Sequence, residues 1–101
     1  MVKPGRNDKK LEILIAGEEL DELQRFTYQM SEAFGLDRRI GNYVGKRPIG
    51  LYAWDVECLL AVIDSALEDP SEYPDPSSPG HQALARLHER LADGSQRVHG
   101  L

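Results

Sequence analysis

Residues 11–23 read Leu11-Glu12-Ile13-Leu14-Ile15-Ala16-Gly17-Glu18-Glu19-Leu20-Asp21-Glu22-Leu23, and the hydrophobic period changes inside this stretch. Leu11, Ile13 and Ile15 stand two apart, the spacing of one face of a β-strand. After Gly17, Leu20, Leu23, Phe26, Met30, Ala33 and Phe34 recur at mostly three- and four-residue steps, the spacing of one face of an α-helix. The segment thus predicts a short strand, a tight turn at Gly17, and a helix over Glu18 to Phe34. Glu18, Glu19, Asp21 and Glu22 crowd the first turns of that helix, where the backbone dipole favours negative charge. Gly35 is placed to end it as a left-handed cap.

The same pattern returns downstream. Ile49-Gly50-Leu51-Tyr52-Ala53-Trp54-Asp55-Val56-Glu57-Cys58-Leu59 can be laid on the segment that begins at Ile13. Apolar residues then coincide at the first, third, eighth and eleventh positions, and acids at the seventh and ninth. A strand over residues 49–52 and a helix from near Trp54 follow, with Val56, Leu59, Leu60, Ile63 and Leu67 as its stripe and Asp69-Pro70 as its end. This is the most apolar helix, so it is expected to be the central one. Acid-led helix starts with an apolar residue every three or four produce such an echo without a repeat; if the two halves are a structural strand–helix pseudo-repeat, their strands pair and their helices cover one face.

Between them, residues 35–50 hold Gly35, Gly41, Gly45, Gly50 and Pro48, a density of breakers that predicts a loop without helix. Residues 69–78 are rich in proline and read as an extended linker. Ser78-Pro79 then opens a third helix, with serine as N-cap and proline at the first helical position. Leu84, Leu87 and Leu91 are its stripe, and Asp93-Gly94 is expected to close it, giving a helix over 79–93. Residues 1–10 read as a flexible arm and 94–101 as a loose tail around a core over 11–68. The expected fold class is α+β, a small single domain with two short strands and three helices. The alternative is an all-α three-helix unit in which the apolar runs are only connectors. A two-stranded sheet is marginal alone, so dimerisation into a four-stranded sheet is also expected.

Composition narrows the function. A chain of 101 residues with 41% hydrophobic and 29% charged residues is ordinary for one globular domain. The single cysteine, Cys58, cannot form an intrachain disulfide or a cysteine-based zinc site. It lies in the apolar face of a helix and reads as a small core residue. No apolar run approaches a membrane span or a signal peptide, so a cytoplasmic protein without membrane contact is expected. His81 and His88 are seven residues apart on one helix. That is a rise of ~10.5 Å, too far for both to ligate one ion. Neither a metal site nor a cofactor is expected. Asp64 and Glu68 share a helix face, but nothing in the sequence converges on them as a catalytic set. No catalytic residue is assigned.

The remaining signal is Gly41-Asn42-Tyr43-Val44-Gly45-Lys46-Arg47-Pro48. It fails as a phosphate-binding loop: three residues, not four, separate its glycines, and Arg47 stands where the magnesium-binding hydroxyl is needed. It succeeds better as a basic–aromatic contact loop. Arg38, Arg39, Lys46 and Arg47 lie within ten residues, with Tyr43 among them and Tyr52 and Trp54 behind. The net charge of the chain is -5, and residues 51–76 alone carry seven acids and no base. An acidic protein gives no long-range attraction to nucleic acid. Arg, Tyr and Trp are the residues that anchor protein interfaces. The leading expectation is a small interaction or regulatory module without catalysis, its surface centred on residues 38–54, with a protein partner or a second copy as ligand. The alternative is a weak nucleic-acid binder using the same loop, and the second alternative an enzyme whose site is assembled across a dimer. Charge reversal at Arg39 together with Arg47 is expected to abolish partner binding without lowering the melting temperature.

Overall fold

The computed structural model describes residues 11–30 and 35–99. Within them the order is β1 (Leu11–Ile13), α1 (Gly17–Gln24), a single 3-10 turn (Thr27–Gln29), α2 (Leu36–Asn42), β2 (Ile49–Leu51), α3 (Ala53–Glu68) and α4 (Pro79–His99). The fold is α+β and mostly helical: four α-helices and a two-stranded antiparallel sheet. The expected arm over 1–10, and Ala33 and Phe34 of the expected first helix, lie outside the described residues.

β1 pairs with β2 in the register Leu11 with Leu51, Glu12 with Gly50 and Ile13 with Ile49. Leu11, Ile13, Ile15 and Leu51 face the core, while Glu12 and Leu14 face solvent. The apolar runs are therefore a paired sheet, and the all-α alternative does not hold.

Four features differ from the sequence expectation. First, α1 stops at Gln24 rather than continuing to Phe34. Phe26, Thr27 and Tyr28 are β-branched or aromatic residues that lose side-chain freedom in a helix. The Thr27 hydroxyl bonds back to the Gln24 carbonyl at 3.3 Å, and the chain tightens into the 3-10 turn. Second, a helix forms where glycines argued against one. α2 uses Gly35 as its N-cap at φ 85°, and Gly41 falls in its last turn, where its low propensity costs little. Leu36 and Ile40 lie one turn apart and are fully buried, so tertiary packing outweighs propensity.

Third, the central helix is α4, not α3. It packs against α3, α1 and β1. Ser78 caps it as expected, its Oγ accepting from the His81 backbone N–H at 3.4 Å. Gly94 does not end it. A Cβ at Gly94 would lie 2.8 Å from Leu11 Cδ1, so this glycine is the place where α4 crosses β1 closely. Fourth, the segment over 69–78 is a docked strap rather than an extended linker. Tyr73 is buried, donates a hydrogen bond to Glu22 Oε1 at 2.6 Å, and meets the His81 ring edge-on at 5.6 Å. Arg25 joins the cluster through Glu22 at 2.8 Å and Glu72 at 3.4 Å.

Candidate functional site

The loop between α2 and β2 is held from beneath. Tyr43 is half-buried; its hydroxyl donates to the Arg47 carbonyl and accepts from the Ile15 N–H at 3.4 Å. The Gln24 side-chain amide, at the end of α1, donates to the carbonyls of Ile40 and Tyr43, each at 2.9 Å. Gly45 sits at φ 76°, and a Cβ there would come within 3.1 Å of the Ile15 carbonyl and 3.2 Å of Leu20. Both its backbone angle and its surroundings call for glycine. Gly45 thus serves close packing of the loop on the β1–α1 turn, whereas Gly41 has open space around it.

The pinned loop forms one side of an open cleft of about 570 Å³. Five of the seven residues singled out from sequence line it: Arg39, Tyr43, Lys46, Arg47 and Tyr52. The other two do not. Arg38 is exposed on α2 outside the cleft. Trp54 stacks on Tyr52, with ring centroids 4.9 Å apart and planes at 18°, and so backs the cleft wall. Asn42, Val44, Pro48, Ile49 and Gly50, which lie inside the expected contact loop over 38–54 but are not among its singled-out residues, complete the lining. A usable signal existed for Val44 alone: an apolar residue flanked by a tyrosine and a glycine in a loop. It is 72% exposed.

The three cleft cations are not equivalent. Arg39 Nη1 pairs with Asp55 Oδ2 at 2.9 Å, and its Nη2 donates to the Gly50 carbonyl. Asp55 is fully buried at the third position of α3, where its Oδ2 also accepts the Tyr52 backbone N–H at 3.0 Å. Asp55 Oδ1 has no hydrogen-bond partner among the described residues, so the carboxylate relies on Arg39 for compensation of its charge. Arg39 thus ties α2 to β2 and to the start of α3. It is a structural residue, and the expectation that its charge reversal leaves stability intact is corrected accordingly. Lys46 and Arg47 are exposed, and neither pairs with a carboxylate among the described residues. Among the described residues no acid lines the cleft.

A second concavity, of about 450 Å³, shows the opposite case. It is lined by Leu14, Ala16, Glu18, Glu19, Arg86 and Arg90. There Glu19 pairs with Arg90 and lies 3.8 Å from Arg86, and Arg90 also donates to the Leu14 carbonyl at 2.7 Å. Its arginines are consumed in joining α1 and β1 to α4.

His81 and His88 are likewise engaged within the fold. His88 Nε2 lies 2.9 Å from Asp64 Oδ1 between α4 and α3, and His81 packs on Tyr73. Among the described residues no group of three or more His, Cys, Asp or Glu side chains is arranged to hold a metal. Cys58 is half-buried and packed against the core. No described helix is long and apolar enough to cross a membrane. No family model, no curated protein and no solved structure matches the chain. The chemistry of the cleft is therefore the ground on which its function is argued.

Proposed function

We propose that this protein is a non-catalytic interaction module whose contact surface is the cleft between the α2–β2 loop and Tyr52. One observation carries the reading. Two cations, Lys46 and Arg47, stand on a pinned loop without carboxylate partners among the described residues, beside exposed apolar and aromatic surface. Elsewhere on the fold Arg25, Arg86 and Arg90 are paired with acids, and Arg38, exposed on α2 without an acid partner among the described residues, stands outside the cleft. A rigid loop that holds two charges toward a concavity is pre-organised for a ligand, which lowers the entropy cost of binding.

The test separates binding from folding. Tagged wild-type protein and a Lys46→Glu/Arg47→Glu variant are used to capture partners from the native host, with and without nuclease. Wild-type protein is expected to recover a stoichiometric protein in both halves, and the variant to lose it. Thermal unfolding of the variant is expected to match wild type, because neither side chain supports the fold. Equal recovery by a folded variant excludes the cleft as the contact surface. A partner that vanishes with nuclease favours the nucleic-acid alternative instead.

A further inference from the structure

The charge and shape of the cleft narrow the chemistry of its occupant. We infer that it receives a short acidic segment of a partner protein, with carboxylates meeting Lys46 and Arg47 and an adjacent aromatic or aliphatic side chain lying along Val44 and Tyr52. This rests on the interaction-module reading above.

Three observations carry it. The first is electrostatic. With Arg39 held by Asp55, the cleft offers two uncommitted cations and, among the described residues, no acid. Arg47 can take a carboxylate through two parallel hydrogen bonds, and Lys46 adds a point charge. The second is apolar. Val44 is held out in water by a loop that Tyr43 and Gln24 pin on both sides of it, and Pro48 and Ile49 continue that surface into the cleft. A single exposed valine is unremarkable on a surface. Here it borders a concavity walled by a stacked Tyr52–Trp54 pair, which is the kind of anchor found at protein contacts. The third is the charge of the whole chain. Its net charge is -5, so its summed field repels a long polyanion. Two cations also give a salt slope of only about -1.4 to -1.8 on nucleic acid, too little for useful affinity. A short segment with its charge concentrated at one end meets the two cations and avoids most of the repulsion.

The experiment uses the full chain and fluorescein-labelled glutamate-rich peptides of about ten residues, each with one phenylalanine, tyrosine or leucine. Fluorescence anisotropy is read at about 50 mM and about 300 mM salt, which spans strong to weak screening. Controls are the same peptides with glutamine for glutamate, the same peptides with glycine for the apolar residue, and a single-stranded oligothymidine. Acidic peptides with an apolar residue are expected to bind, more weakly at the higher salt. Lys46→Glu/Arg47→Glu is expected to weaken them at least about tenfold. Val44→Ser is expected to weaken the phenylalanine peptide severalfold and leave the glycine control unchanged. Absence of binding by every acidic peptide, equal binding of the glutamine peptides, or tighter binding of the oligonucleotide overturns the inference. If the peptides fail while the charge-reversed protein still loses its native partner, the module reading stands and only the acidic-segment inference falls.

Discussion

Arg39 and Lys46 look alike in the sequence, two cations in one glycine-rich stretch, but the fold gives them different work. Arg39 compensates a carboxylate with no access to water, and its own side chain is 37% exposed. Removing it strands the Asp55 charge. Arg39→Met is expected to cost about 2–4 kcal/mol, near the lower part of the range for breaking a buried pair because one partner is partly solvated. Adding Asp55→Asn removes the stranded charge and leaves an acceptor for the Tyr52 N–H. The double variant is expected to recover a good part of the loss in a urea-denaturation cycle. If the two losses simply add, the pair does not couple as described. Gly45 is the second residue-scale test. Gly45→Ala forces a Cβ against the Ile15 carbonyl at a left-handed backbone angle. A loss of about 1–3 kcal/mol is expected in the same assay. Gly41→Ala, with nothing within 4 Å, is the matched control and is expected to be neutral or mildly stabilising.

At the scale of elements, the strap over 69–78 has the clearest consequence. It joins α3 to α4 and is fastened to α1 and the residue after it by Tyr73, bonded to Glu22, and by Glu72, paired with Arg25. Burial raises the Tyr73 phenol above its ordinary range; its hydrogen bond to Glu22 and the Glu22 charge add to this, and Arg25 acts against it. The folded protein therefore favours the neutral phenol more than the unfolded chain does. The unfolded value is about 10, so the strap's contribution is complete below that pH and is lost as pH rises beyond it toward the folded value. Stability measured by denaturant is expected to fall above about pH 10. Tyr73→Phe is expected to cost about 1–2 kcal/mol at neutral pH by removing the bond to Glu22, and to flatten the alkaline decline. An unchanged alkaline limb in Tyr73→Phe points to other groups. Gly80 belongs to the same device: a Cβ there would lie 2.7 Å from Glu22 Oε1, so the start of α4 leaves room for the carboxylate that Tyr73 grips.

For the whole molecule, the proposed contact charges are distinct from the charges that join its elements. The arginines bonded to acids or carbonyls, Arg25, Arg39 and Arg90, join elements far apart in sequence. Lys46 and Arg47 join nothing among the described residues. Lys46→Glu/Arg47→Glu is therefore expected to change stability by no more than about 0.5 kcal/mol, the range of surface substitutions away from special features. Trp54 is the only tryptophan in the chain and stacks behind the cleft wall, so its fluorescence is expected to change on ligand addition in wild type and not in this variant. The shortage of core that made a dimer attractive is partly met within the chain. Leu36 and Ile40 of α2 and Tyr73 of the strap all join the hydrophobic core.

What the sequence determined by itself is what depends on neighbours along the chain. The period-two run at Leu11, Ile13 and Ile15, the acid-led starts of two helices and the Ser78-Pro79 cap are local patterns found where the sequence places them, and of the α3 stripe Val56, Leu59 and Ile63 are buried while Leu60 and Leu67 are half-buried beside Val62 and Ala66. The clustering of cations and aromatics over residues 38–54 was legible for the same reason, because nearness in sequence keeps residues near in space. Tertiary structure decided the rest. It folded α2 despite its glycines, since burying Leu36 and Ile40 outweighs their entropy cost. It carried α4 through Gly94 because the missing side chain lets β1 approach. It also divided the cations of one loop into a structural arginine and two uncommitted charges, because Asp55 reaches Arg39 only once α2 and α3 are packed around β2.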